Sequence, residues 1–215
     1  MATSLKSKLI QYLAAGDYGA VIGLAEADQR VFGKLVALAY DKEDVICWRA
    51  IEAMGACAAA VARHDASRLR NLIQRLIWSA REESGGMGWS APELLAEIVS
   101  ASPRQFADIP PIIVSLHSED EEKVFLKGVL WAIARMAQSG ITDVPGAAAV
   151  VLTALDDPDE AVRGLAVIAA SRGDIEAARR LGELAGDRGR LRIYEKGRMV
   201  EKEVGKLARA ALAKT

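Results

Sequence analysis

Two cysteines and two histidines in 215 residues leave little material for metal or thiol chemistry. Cys47 and Cys57 fall within one expected helix, where ten residues at ~1.5 Å each put them roughly 15 Å apart, beyond disulfide reach. They read as buried thiols of a reducing, cytoplasmic compartment. His64 and His117 are isolated, and neither Cys-x-x-Cys nor His-Glu-x-x-His spacing occurs, so no metal site and no cofactor are expected. Aromatics make up only 5% of a chain that is 51% hydrophobic, which disfavours a β-sandwich and suits close helix–helix contact. Charge of one sign is missing as well. The 28 basic and 29 acidic residues nearly cancel, leaving no global field to draw in nucleic acid or an anionic membrane. No run of about 18 apolar residues stands out as a membrane span. Val144–Leu155 comes nearest, but it is short and carries Pro145 and Gly146. Nothing near Lys6 and Lys8 reads as a signal peptide.

What the chain has is helical periodicity with punctuation. Ser4–Ala15 places Leu5, Leu9, Ile10, Tyr12 and Leu13 near one face, Gly16 closes it, and Asp17 caps Tyr18–Ala27. Helices are expected over Gln29–Tyr40, from the acidic turn Asp41–Asp44 to His64, and over Arg68–Glu83, with Leu69, Leu72, Ile73, Leu76 and Ile77 as the inward stripe of the last. Ser90-x-x-Glu93, Ser118-x-x-Glu121 and Asp157-x-x-Glu160 have capping-box spacing. Between them, short helices are expected over Pro111–Leu116 and from Pro145 to Leu155, the latter with proline in its first turn. Ile175–Ala185 makes one more.

These signals recur. From Val45 to Val124 is 79 residues and from Val124 to Val162 is 38, a period of about 38 to 40 that fits two antiparallel helices and their turns. Leu155-Asp-Asp-Pro-Asp-Glu-Ala-Val-Arg-Gly-Leu-Ala166 resembles the HEAT repeat, in the short bacterial form named after phycobilisome lyases. Val45–Gly55 and Val124–Arg135 look like second helices of the same unit, and the resemblance covers roughly residues 28–185. It implies an all-α fold: a right-handed α-solenoid of about four to five HEAT-like hairpins. The whole of 1–215 reads as a single solenoid domain, with capping helices over 1–28, repeats over 29–185 and a C-terminal cap over 186–215. In that cap, Leu191–Glu195 and Arg198–Glu201 alternate around Lys196-Gly197 as a β-hairpin, and Glu203–Ala211 forms a capping helix with Val204, Leu207, Ala208 and Ala211 inward.

One stretch breaks the rhythm. A repeat head is due near residue 84, where Gly85, Gly86 and Gly88 stand between Trp78 and Trp89. A glycine-rich turn before a helix can offer free N–H groups to an anion. However, Glu82, Glu83 and Glu93 surround it, and no Lys-Ser/Thr pair follows as in a Walker loop. The stretch therefore reads as a protein-recognition loop, 84–90, rather than a nucleotide site. In HEAT arrays the second helices line the concave face, so the resemblance places Trp48 and Trp131 there as further contact candidates.

Functionally the chain reads as a non-catalytic scaffold binding a partner protein through its concave face or the glycine loop. Two alternatives follow from related families. A lyase-like accessory role in chromophore or cofactor handling imposes no recognisable spacing, whereas the di-iron chemistry of deoxyhypusine hydroxylase needs repeated His-Glu pairs that are missing here. A nucleic-acid-binding HEAT-like protein is disfavoured by the neutral net charge. Residues 187–215 do hold nine Lys/Arg against four acids. Arg63, Arg68, Arg70, Arg75 and Arg81 form a second basic set, which helical spacing spreads over several faces.

Overall fold

The computed structural model describes residues 4–81, 89–118 and 124–214. It is all-α apart from one small two-stranded sheet, with twelve α-helices among the described residues. The helices are α1 (Leu5–Ala15), α2 (Tyr18–Ala27), α3 (Arg30–Leu38), α4 (Val45–Ala62), α5 (Ala66–Arg81), α6 (Ala91–Ala101), α7 (Pro110–Ser115), α8 (Val124–Gln138), α9 (Ala147–Ala154), α10 (Glu160–Gly173), α11 (Ala178–Leu184) and α12 (Val204–Leu212). Between α11 and α12 run β1 (Arg190–Glu195) and β2 (Arg198–Glu203). The chain divides into two compact units, Met1–Ala107 and Asp108–Thr215.

In the first unit, even-numbered helices form the inner row. α4 packs against α2 on one side and α6 on the other, while α1, α3 and α5 lie against it as partners. Local signals set the ends. Asp17 caps α2 by accepting from the Ala20 N–H, and Gly16 closes α1 at φ +69°. At α4 the cap is Asp44, which accepts from the Ile46 N–H, and Asp41 instead accepts from Glu43 inside the turn. α4 is also long and apolar enough to cross a membrane, with a mean hydropathy of 1.5, which corrects the expectation that no such stretch exists. Its composition has another cause here: 67% of the stretch is buried as the centre of this unit. Gly55 lets α6 approach it closely, since a Cβ there would run into the side chain of Glu97.

The second unit repeats the plan, with α8, α10 and α12 side by side and α9 against α10. The expected cap at Asp157 shifts by two residues. Asp159 accepts from the Ala161 and Val162 N–H groups, and Asp157 accepts from Asp159 N–H instead. Likewise Pro145 precedes α9 rather than opening it, because Gly146 takes the cap position at φ +82°. The hairpin forms as expected, in register Glu195↔Arg198 around Lys196 and Gly197, which adopt φ +49° and +82°. Those positive values fit a two-residue type I′ turn, whose twist matches the strands. It is inserted into a helical pair, since α11 and α12 pack on each other. Gly164 on α10 admits Leu191 of β1, and Gly205 on α12 lies under the backbone carbonyls of Ala185 and Asp187. In α12 the buried positions are Val204, Gly205, Ala208 and Ala211; Leu207, expected inward, is half-exposed.

Candidate protein-interaction site

The first turn of α6 is buried on all sides, and it gathers several of the residues singled out in the sequence. Glu93 is 1% exposed and receives a hydrogen bond of 2.6 Å from Lys42 Nζ. Among the described residues, its second oxygen has no hydrogen-bond partner, nor does the buried hydroxyl of Ser90. The capping box expected at Ser90-x-x-Glu93 therefore does not form. Glu93 is drawn to the ammonium of Lys42 across the α4–α6 contact, a stronger attraction in this buried setting than a bond back to its own helix end. Beside it, the Cys47 thiol is pushed up to about 12, by burial first and then by the negative charge of Glu93; the ammonium of Lys42 opposes the shift. Cys57 is pushed up to about 12 as well, mainly by burial. Both cysteines are unpaired, buried and held as neutral thiols, so neither is a nucleophile at ordinary pH.

The four tryptophans part company. Trp48 is 8% exposed, and its indole N–H donates to the Lys42 carbonyl at 2.9 Å, which ties the α3–α4 turn to the helix. Trp89 and Trp131 are half-buried. Trp78 is 64% exposed. Of the remaining candidates, Glu82, Glu83, Gly85, Gly86 and Gly88 lie outside the described residues, as do most of the loop 84–90 and the Ser118–Glu121 box beyond Ser118.

The reason for Trp78's exposure is helical phase. α5 buries Leu69, Leu72, Ile73, Leu76 and Ala80, so Asn71, Arg75 and Trp78 fall on the opposite, open stripe. Asn71 and Arg75, with Arg68 and Leu72, form one wall of an open groove of about 500 Å³ in the first unit. The other wall is α3, through Gln29, Arg30, Phe32 and Gly33, with Asp65 and Ser67 at the mouth. The α5 stripe of Arg68, Asn71 and Arg75 continues at helical spacing to Trp78, while Tyr40 lies beyond the end of α3. Tyr40 is 61% exposed.

The groove's polar end is rigidly built. The Arg68 guanidinium lies 5.0 Å from the Phe32 ring centroid and donates to the Ala25 carbonyl at 3.0 Å. Asp65 accepts from the Ser67 hydroxyl and from the Arg68 backbone N–H, and these bonds hold its carboxyl below the ordinary 3.8. Arg30 is clamped to Asp28, whose carboxyl it holds low. Arg70, by contrast, turns to the other side, against Phe106 and the Gln105 carbonyl. The arginines of α5 thus divide between faces as their spacing implies, and Arg68 and Arg75, seven apart, share the groove. Sequence reasoning missed Tyr40 and Phe32. The signal was the i, i+3, i+7 relation of Trp78 to Arg75 and Asn71, which becomes a wall only once α3 is known to lie beside it. Among the described residues, no cluster of His, Cys, Asp and Glu could hold a metal ion.

No protein-family model matches the chain, and no curated protein matches it either. Solved structures do. The chain is similar to a designed armadillo repeat protein solved in complex with a (KR)4 peptide, at 22% identity over 97% of this chain and 90% of that one, with a TM-score of 0.54. A second designed armadillo repeat protein aligns at 21% identity over 96% and 90% of the two chains, with a TM-score of 0.49. An archaeal HEAT-like repeats protein from Thermococcus onnurineus NA1 aligns at 15% identity over 99% and 100%, with a TM-score of 0.36. At these identities the likeness concerns the fold alone, which is similar to that of the armadillo helical repeats.

Proposed function

We propose that this chain is a non-catalytic scaffold that binds a segment of a partner protein, with the α3–α5 groove of the first unit as one contact. The observation that carries it is the open groove between α3 and α5, lined by Phe32 and Leu72 among polar side chains, with the 64% exposed Trp78 one helical step beyond the lining residue Arg75. Large aromatics at the rim of a groove bring contact area at low entropic cost, and tryptophan and tyrosine dominate binding energy where they occur at interfaces. The designed armadillo protein of similar fold is described in complex with a peptide, which supports segment binding as a use of such a fold. The resemblance of Leu155–Ala166 to the short phycobilisome-lyase-type repeat belongs to the same proposal, as a subtype of the scaffold and not as a lyase activity. Two free, buried thiols suit a reducing cytoplasm, which is where we place the protein.

The test is affinity capture from the native cell followed by size-exclusion chromatography. One partner should co-elute at fixed stoichiometry with the unaltered chain. Trp78→Ala should weaken that complex at least tenfold with an unchanged melting temperature, since the side chain it removes is largely in solvent. Recovery of the same complex with Trp78→Ala would remove this groove from the interface, and turnover by the repurified protein alone would sink the scaffold reading.

A further inference from the structure

The second unit carries a face of a different character. Across α8, α10 and α12 there are six Lys/Arg (Lys127, Arg135, Arg163, Arg172, Lys206 and Arg209) and one acid, Glu160. Some of these cations are spoken for: Lys127 by Asp159 at 2.7 Å, and Arg163 by Asp187 at 2.7 Å. Arg172 and Lys214 are not, since neither side chain makes a hydrogen bond or ion pair with any described residue. Burial lowers the pKa of Arg172, the carboxylate of Glu195 raises it and the guanidinium of Arg135 lowers it again. Glu195, the acid at hand, is already paired with Lys202 at 2.7 Å.

Geometry adds a second feature. The C-terminal halves of α10 and α12 border a hollow of about 170 Å³ lined by Val167, Ile168 and Leu207, by the cations Arg172 and Lys214 and by the Lys202-paired carboxylate of Glu195. Arg135 of α8, which donates to the Ser139 hydroxyl at 2.7 Å, is close enough to Arg172 to act on its charge. Arg172 near the end of α10 and Lys214 just beyond α12 thus stand at one hollow, with Arg135 of α8 within electrostatic reach. A cation in a last turn also complements its own helix dipole, which accounts for charge at each end. It does not account for the apolar hollow between two of them.

We propose that this end of the α8–α10–α12 face binds an extended acidic segment of a partner protein, with carboxylates against Arg135, Arg172 and Lys214 and an apolar side chain in the hollow. The proposal rests on the scaffold reading above and adds a partner chemistry and a second contact. Neighbouring packed helices stand about 8–10 Å apart, and an extended chain advances about 3.3 Å per residue, so acidic residues about three apart would meet successive cations. A nucleic acid fits less well: three cations are few for a phosphate backbone, and the hollow is apolar.

The experiment is selection of a displayed random peptide library on the full-length protein, followed by fluorescence anisotropy of the enriched peptides and of a single-stranded oligonucleotide of similar length. Enriched peptides should be acidic, with carboxylates about three residues apart around an apolar residue. Their affinity should fall at least tenfold in Arg172→Glu and in Lys214→Glu, and be unchanged in Arg179→Glu on α11. Arg172→Gln, which keeps the polar contact and removes the charge, should lose several-fold at low salt and little at high salt. The proposal is overturned if no acidic peptides are enriched, if they bind the Arg172 variants as tightly, or if the oligonucleotide binds this face in preference. Peptides that need Trp78 but not Arg172 would overturn it as well, while leaving the scaffold reading standing.

Discussion

At the scale of single residues, the least ordinary feature is a carboxylate placed almost out of reach of solvent. Glu93 is compensated by Lys42, which is 25% exposed, and one of its oxygens has no partner among the described residues. Desolvating such a pair costs several kcal/mol, and the attraction between its members returns much of that; removing only one leaves the other charge stranded. Lys42→Met should therefore destabilise the first unit by about 3 kcal/mol, the low end for a broken buried pair because Lys42 still touches water. Replacing both, in Lys42→Met/Glu93→Met, should restore stability to within about 1 kcal/mol of the starting protein. Denaturant unfolding of the two singles and the double closes the cycle. Additive losses would mean that the pair is not coupled and that Lys42 acts through its stem alone. The sequence could not show this arrangement. Ser90 and Glu93 have capping-box spacing, and only the approach of the Asp41–Asp44 turn to α6 gives Glu93 a better partner than its own helix end.

Among the elements, the helices were legible because each carries its own stop signals. Gly16 and Asp17 mark the α1–α2 turn, and Lys196-Gly197 marks the hairpin, since these residues act through their own backbone conformation. What was not legible depends on distant neighbours. Asp157 and Asp159 are both competent caps, and the ion pair of Asp159 with Lys127 of α8 helps to select the second. The docking of the hairpin is a further case, written in glycines whose reason lies elsewhere in the chain. A Cβ on Gly205 would sit 2.7 Å from the Asp187 carbonyl oxygen and 2.8 Å from that of Ala185. Backbone cannot move aside as a side chain can, and the Gly205 N–H donates to the same Asp187 carbonyl. Gly205→Ala should thus lift α12 from the turn after α11 and cost about 1–3 kcal/mol, as overpacked sites do. Amide hydrogen exchange would show the loss concentrated in α11, α12 and the β1–β2 hairpin. A Gly182→Ala control, where a Cβ meets nothing within 4 Å, should leave exchange unchanged. Equal protection in Gly205→Ala would show that this approach is not a constraint.

For the molecule as a whole, the titrating groups define a window of pH in which both units are stable. On the acid side the shifted groups are all carboxylates held low. Arg163 holds Asp187 down; at Asp159, burial is outweighed by Lys127 and the first N–H groups of α10; Asp28 and Asp65 are held by Arg30 and by Ser67. A depressed carboxyl contributes stability above its unfolded value of 3.8 and loses it as pH falls through the folded value, so unfolding should set in below about pH 4. On the alkaline side the two thiols act in the opposite sense. With unfolded values of 9.0 and folded values of about 12, the native state keeps protons that the unfolded chain has released. Stability is full below pH 9 and should fall between 9 and 12, at about 1.4 kcal/mol per pH unit for each thiol. The thiol contribution is isolated by comparison. In Cys47→Ala/Cys57→Ala, denaturant midpoints should start lower at pH 8, through the volume lost in the core, yet decline less between pH 9 and 11 than in the unaltered protein. Parallel declines would show that both thiols ionise freely in the native state, and that the cores around α4 admit water.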